Sequence, residues 1–401
     1  MANNNDFSAT YRDKLAPKAI KRLVAKMQGL EYITQDISEE IVDKNKTISI
    51  ELQTEDFIAN DWNDVTGIQS QSFKTNTVLI ELNKHKEVTF ELSDVQMREV
   101  QTQNVVPDLF NNAVNALAKA QVIELYKLYK KVYNFSGTGS SNAFKTDDIF
   151  EGEKILFDVL VETDPVAAVT SRAYTDLAHE LKDGSKTSDA TSENALRNKE
   201  LGDIANTFVF RDQLLKDVYH TAGTASQAGA AWTVDTALNA APAGSTAIDV
   251  FDGSLNGATF LEGDLISIDG HDQTYVITAD ATAGAGNPPT AGVATISISP
   301  ALTEDLTSGQ AVTVMPSHAV NLMYGKEFAV HVMRQLDKSA EELGLGGVGS
   351  IQQNIVDPRT KTSMRMESFR DPKLKTHFFT FDVLFNVELL DAKYAVRLLN
   401  S

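Results

Sequence analysis

The sequence predicts an α+β fold with an all-β domain inserted into it, and three observations carry that reading. From Pro107 to Tyr133 apolar residues recur at helical spacing, the clearest long helix in the chain. Residues 47–92 instead alternate apolar and polar with period two. Between Lys216 and Lys326 there is no lysine or arginine, and short strand-like runs recur among Gly, Ala, Thr and Ser.

Composition bounds the function. A chain of 401 residues has room for two or three domains with a sizeable core. The net charge of −19 argues against a sequence-reading DNA surface across the whole molecule. Ten of the acids lie within 222–316, so roughly half of that charge belongs to one segment. With no cysteine, disulfides, thiol catalysis and thiolate metal sites are excluded. No apolar run is long enough to cross a bilayer, and the N-terminus lacks a signal-peptide pattern.

Taken in order, residues 1–46 begin polar and become a basic amphipathic segment, with Lys18, Lys21, Arg22 and Lys26 among Ile20, Leu23, Val24 and Met27. This reads as a solvated helix or as an arm that docks on an acidic surface of a partner. No Trp or Phe anchors its apolar face to a membrane. Strands follow at 47–52, 78–82 and 87–92, and the polar turn Asn83–Glu87 is expected to join the last two as a long hairpin. Such a ribbon is marginal alone and needs a neighbour.

Ser93 and Gln96 have capping-box spacing and open a short helix before the long one. In the long helix Leu109, Phe110, Val114, Leu117, Leu125, Leu128 and Val132 form the stripe, and Lys127, Lys130 and Lys131 crowd the carbonyl end. A helix over 148–161, a buried strand at Val166–Val169, a helix from Ser171 to Gly184 and a strand over Leu201–Phe210 then indicate a compact α/β unit.

The segment 222–316 holds six expected strands: Trp232–Val234, Ala247–Val250, Leu265–Ile268, Tyr275–Thr278, Ala294–Ile298 and Ala311–Val314. They suggest a small barrel or sandwich, with Asp269-Gly270 as a hairpin turn. The loop 279–292, stiffened by Pro288 and Pro289, is long enough to have a function. Afterwards Tyr324–Lys338 is expected to be helical and 362–399 strand-rich.

Motifs for chemistry are thin. Gly344, Gly346 and Gly349 match G-x-G-x-x-G, but a helix is expected before them and none clearly after, so they read as a loop. Asp269, His271 and Asp272 sit at an expected hairpin tip and read as a solvated turn. No catalytic, cofactor or metal site is assigned, and the chain reads as no enzyme.

The order of parts, with HAVNLMYGKEFAVHVMRQL at 318–336 and SMRMESFRDPKLKTHFFTFDVLFNVELLDAKYAVRLL at 363–399, resembles the major capsid proteins of tailed bacteriophages. It looks especially like the short-tailed phage coat family that carries an inserted β-barrel domain. Arg365, Arg370, Phe381–Leu384 and Ala395–Leu398 look like that family's terminal strands.

The resemblance implies an N-terminal arm (1–46), an extended β-loop (47–92) and a peripheral domain with the spine helix (93–150). An axial domain (151–221 and 317–361) would be interrupted by the insert (222–316), and peripheral strands (362–401) would close the chain. It implies self-assembly into hexamers and pentamers of an icosahedral virion capsid, built in the host cytoplasm. The implied partners are a separate scaffolding protein, a portal protein and packaged double-stranded DNA bound without sequence specificity, with no membrane and no cofactor. Ile80, Lys84, Lys86 and Phe90 in the ribbon and Pro288 and Pro289 in the insert would lie at contacts between subunits. Two other readings compete: an encapsulin-like nanocompartment shell, and an enzyme with a β-rich carbohydrate-binding accessory domain, for which Trp232, Phe251, Phe260 and Tyr275 would be the stacking aromatics.

Overall fold

The computed structural model describes the chain except residues 1–15, 26, 42–46, 54–74, 95, 97–107, 138–142, 160, 162–163, 185–202, 205, 228, 237–240, 254, 285–291, 337–349, 357–361, 372 and 401. Two compact units emerge. The first joins residues 1–28, 35–121 and 330–390, and the second joins 29–34, 122–329 and 391–401. The glycine-rich stretch 344–349 and Pro288 and Pro289 lie outside the described residues.

The first unit is built on the strand Thr376–Leu389. One edge bonds to Ser363–Asp371, and the other bonds in ten registered pairs to Lys84–Ser93. The sheet continues to Ser350–Val356 at one end and through Ala329–Gln335 to Thr34–Ile41 at the other. Alternate residues of a strand share a face, so Phe379 and Phe381 stand together. Phe90 stacks on both, with ring centroids at 5.5 and 6.2 Å, and Phe110 closes the cluster at 5.5 and 5.6 Å.

This pairing corrects the expected hairpin. Thr47–Gln53 pairs with Thr75–Glu81 as the ribbon, whereas Lys84–Ser93 leaves it for the sheet. The physical reason is twofold. Asn83–Glu87 contains no glycine for the positive φ of a tight hairpin, and Val88 and Phe90 find apolar partners in the sheet that the ribbon cannot supply.

Helix α1 (Ala16–Ala25) buries Ala19, Ile20 and Leu23 and packs against Ser350–Val356 and Ser363–Asp371. Its apolar face is therefore used inside its own chain, while Lys21 and Arg22 stay exposed. Helix α2 spans Asp108–Lys127 and tightens into a 3₁₀ turn at Leu128–Lys131. Phe110, Val114, Leu117, Val122 and Leu125 are buried along it, but Leu109, expected in that stripe, is exposed. The Ser93–Gln96 capping box forms: Gln96 Oε1 accepts from Ser93 N at 3.0 Å, and Ser93 Oγ accepts from Gln96 N.

In the second unit the sheet runs Phe135–Ser136, Ala395–Asn400, His318–Tyr324, Val166–Val169, Thr207–Arg211, Asp203–Ile204. Val166–Val169 lies parallel to Thr207–Arg211, which demands a crossover. Helix α4 (Ser171–Gly184) lies in that connection. With α3 (Thr146–Asp158) it covers one sheet face, Ile149, Leu156, Ala173 and Leu177 packing on Val169, Val209, Met323 and Leu398.

Two expectations fail here. The single strand over 201–210 is a hairpin, because Asn206 adopts φ +57° and folds Asp203–Ile204 back onto Thr207–Arg211. The helix over 324–338 is instead two strands, His318–Tyr324 and Ala329–Gln335, joined through a short turn at Lys326–Phe328. Residues 328–333 are all buried, and a strand buried on both faces gives no two-residue alternation to read.

All six expected strands of the insert form, and they close into one barrel in the order Trp232–Val234, Ala247–Phe251, Val293–Ser299, Thr274–Ile277, Leu265–Ile268, Ala311–Val314. The last closes back on the first. Gly270 takes φ +83° at the Asp269-Gly270 turn.

Candidate functional site: the neck of the barrel and the exposed faces

The chain enters and leaves the barrel side by side. Tyr219–His220 pairs antiparallel with the start of His318–Tyr324, in the register His220↔His318 and Tyr219↔Ala319. A buried polar network surrounds this neck. His220 Nε2 donates to Asp264 Oδ1 at 2.8 Å, and Tyr129 Oη reaches His220 Nδ1 at 3.3 Å. Asp264 also accepts from Gly223 N at 3.1 Å and from Leu261 N at 2.8 Å. Burial raises the Tyr129 phenol above its usual range, so it keeps its proton and donates.

Arg397 completes the network from the last strand. Its Nη1 donates to Gly263 O at 2.8 Å, and its guanidinium lies 5.0 Å from the Tyr129 ring centroid. The side chain is fully buried, and desolvation pushes its pKa down to about 9, still cationic at neutral pH. The Asp264 carboxylate opposes part of that shift. His318, whose ring lies 5.1 Å from that of His220, donates from Nδ1 to Pro316 O at 2.8 Å. Burial pushes its pKa down to about 3, so it is neutral.

Apolar contact finishes the seat. Leu265 and Val276 turn outward from the barrel and meet Leu399, with Tyr133, Phe135 and Met315 alongside. At the rim Lys130 reaches Glu262 at 3.3 Å with both side chains half exposed, a screened pair of small worth. Sequence spacing gave no hint of this network, because its members come from positions 129, 220, 264, 318 and 397. The one available signal was an arginine inside an apolar strand, AVRLLN.

The expected contact residues fare unequally. Ile80 is fully buried in its own chain, packed with Val330, Val332 and Leu384, so it has no surface left for a neighbour. Phe90 stacks on Phe379, Phe381 and Phe110 of its own chain and is half buried. The base of the ribbon therefore packs on its own chain. Lys84 is half buried and Lys86 exposed at the start of the sheet strand, not in the ribbon. The side chain that does face outward is Leu79, one residue before Ile80 and 66% exposed.

Other large apolar side chains are exposed on separate elements. Phe150 and Phe157, the latter 73% exposed, share the outer face of α3 at a spacing of seven residues. Leu374 stands 64% exposed at the tip between Ser363–Asp371 and Thr376–Leu389. In the barrel Trp232, Phe260 and Tyr275 are interior, and Trp232 Nε1 donates to Ala225 O at 2.9 Å. The aromatics considered for carbohydrate stacking are core residues, apart from Phe251. His271 Nδ1 lies 3.1 Å from Tyr275 Oη, which ties the turn down locally.

No protein family and no curated protein matches the chain. Among solved structures it is similar to the capsid of the cyanophage P-SCSP1u, at 10% identity and a TM-score of 0.44, over 92% of this chain and 86% of that one. It is similar to the mature capsid of bacteriophage PhiM1 at 8% identity and 0.42, over 92% and 86%. A virus-like particle from Pyrococcus furiosus is similar at 6% identity and 0.40, over 96% and 99%. Likeness at this level leaves the function to be read from the chain itself.

Proposed function

We propose that this chain is a major capsid protein, a structural subunit that assembles with copies of itself into the icosahedral shell of a tailed phage around double-stranded DNA. The observation that carries the reading is the ribbon. Its two strands run seven registered pairs, roughly 20 Å, from a base buried in the first unit. Its inner face is spoken for by Ile48, Ile50, Val78 and Ile80, while Leu79 points away from the chain. A projecting two-stranded arm with an exposed apolar residue suits a reach onto another copy.

The exposed Phe150 and Phe157 on α3, and Leu374 at a strand tip, support contacts through more than one element, as a closed shell requires. The insert, hung on one pair of neighbouring strands and free of cations between Lys216 and Lys326, suits an outward placement away from DNA. Hexamers and pentamers, a scaffolding protein and a portal complete the proposal.

Negative-stain microscopy and sedimentation of the purified chain, with and without a co-expressed scaffolding protein, test it. Closed particles of uniform diameter are expected. Discrete monomers under every assembly condition would sink it.

A further inference from the structure

We infer that the outer faces of α1 and α2 form a phosphate-binding face for duplex DNA, on the reading that this chain encloses it. Arg22 Nε of α1 donates to Asn115 Oδ1 of α2 at 3.0 Å, which sets the two helices side by side. Around that bond Lys21 and Arg22 are exposed on α1, and Asn112, Ala116 and Lys119 are exposed on α2. Positions 112, 116 and 119 follow helical spacing, so they form one stripe. The methyl group of Ala116 between the two polar side chains leaves room for a nucleic-acid backbone to approach. Among the described residues none of the three cations is in an ion pair, so their charge is available to a ligand.

The helix segments that meet at this bond carry cations and no acid. From 16 to 30 and from 109 to 123 there is no Asp or Glu, in a protein of net charge −19. The next acid along α2, Glu124, is bonded to Lys127 at 2.9 Å. The buried faces of both helices are largely apolar, Gln121 of α2 being the buried polar exception, whereas the three cations and the Asn112 amide are exposed. Cations neutralise phosphates, and amides hydrogen-bond their oxygens without reading sequence. At physiological salt the Debye length is about 8 Å, so exposed acids farther away than that are largely screened from the face.

The test uses the full chain and its Lys21→Gln/Arg22→Gln/Lys119→Gln variant, with a labelled random-sequence duplex as probe, titrated from low to physiological salt. The wild type is expected to bind independently of sequence. The variant should bind at least about 10-fold more weakly at the lowest salt, with a log–log salt slope shallower by about 3, close to one unit per lost phosphate contact. A charge-matched variant elsewhere, Lys216→Gln/Lys373→Gln/Lys375→Gln, should keep the wild-type slope. Equal binding by wild type and first variant, or equal loss in both variants, overturns the inference. Microscopy of the same samples separates it from the shell reading: particles with no difference in DNA binding reject only the face, and a difference in DNA binding without particles rejects only the shell.

Discussion

His220 Nε2 lies 2.8 Å from Asp264 Oδ1, both side chains being buried where the chain enters the barrel. Asp264 is on the barrel and His220 on the strand outside it, so this bond and the Arg397–Gly263 bond fasten the barrel to the rest of the second unit. Asp264→Ala leaves Arg397 buried without its counter-charge and two backbone amides without an acceptor. A loss of about 3–5 kcal/mol is expected, read as a lower urea midpoint. An unchanged midpoint would mean the network adds nothing to the apolar seat.

His331 is fully buried beside Phe385, and neither ring nitrogen has a partner among the described residues. Burial pushes its pKa down to about 4, whereas the unfolded chain takes up the proton near 6.5. Below 6.5 the unfolded state therefore binds more protons, and acid favours unfolding. Stability is complete above pH 6.5 and falls by about 3 kcal/mol towards pH 4 from this residue alone. His331→Phe should raise the urea midpoint and flatten its fall as the pH drops from neutral towards 4. A parallel fall in both proteins would assign the acid sensitivity elsewhere.

Leu79 and Ile80 are neighbours with opposite fates. Ile80→Asp places an unpaired charge in the core and is expected to unfold the first unit or make the protein insoluble. Leu79→Asp should leave the circular dichroism and urea midpoint unchanged while lowering particle yield. Normal particles from Leu79→Asp would remove the ribbon from the assembly contact.

The paired ends of the insert imply that residues 219–319 fold when expressed alone, with dispersed amide resonances of a β protein. Gly223 limits this fold: a Cβ there would sit 2.1 Å from Thr259 O, and backbone cannot step aside cheaply. Gly223→Ala should collapse that dispersion or cost at least about 2 kcal/mol. A fragment that tolerates the alanine would show the local backbone to be looser than its geometry.

Helix α2, the Val166–Val169 strand, helix α4 and the six barrel strands were legible because each writes its own period or its own boundaries into neighbouring residues. Trp232–Val234, Leu265–Ile268 and Ala311–Val314 even kept their expected ends. Lys84–Ser93 was legible as a strand but not in its partner, since Phe90 could stack equally well on any aromatic face. Val330–Met333 was misread because a strand covered on both sides has no alternation to show.

Sequence alone determined most stretches of helix and strand, Ala329–Gln335 excepted, that 222–316 stands apart in charge and texture, and which side chains are apolar enough to be buried. Those properties depend on neighbours within a few residues. The tertiary structure alone decided that Lys84–Ser93 pairs with Thr376–Leu389, that Ile80 turns inward and Leu79 outward, and that Tyr129, His220, Asp264 and Arg397 meet at one buried point. Such choices compare the burial offered by every competing partner at once, and Arg397 leaves no mark on the local pattern around Tyr129 that could announce their meeting.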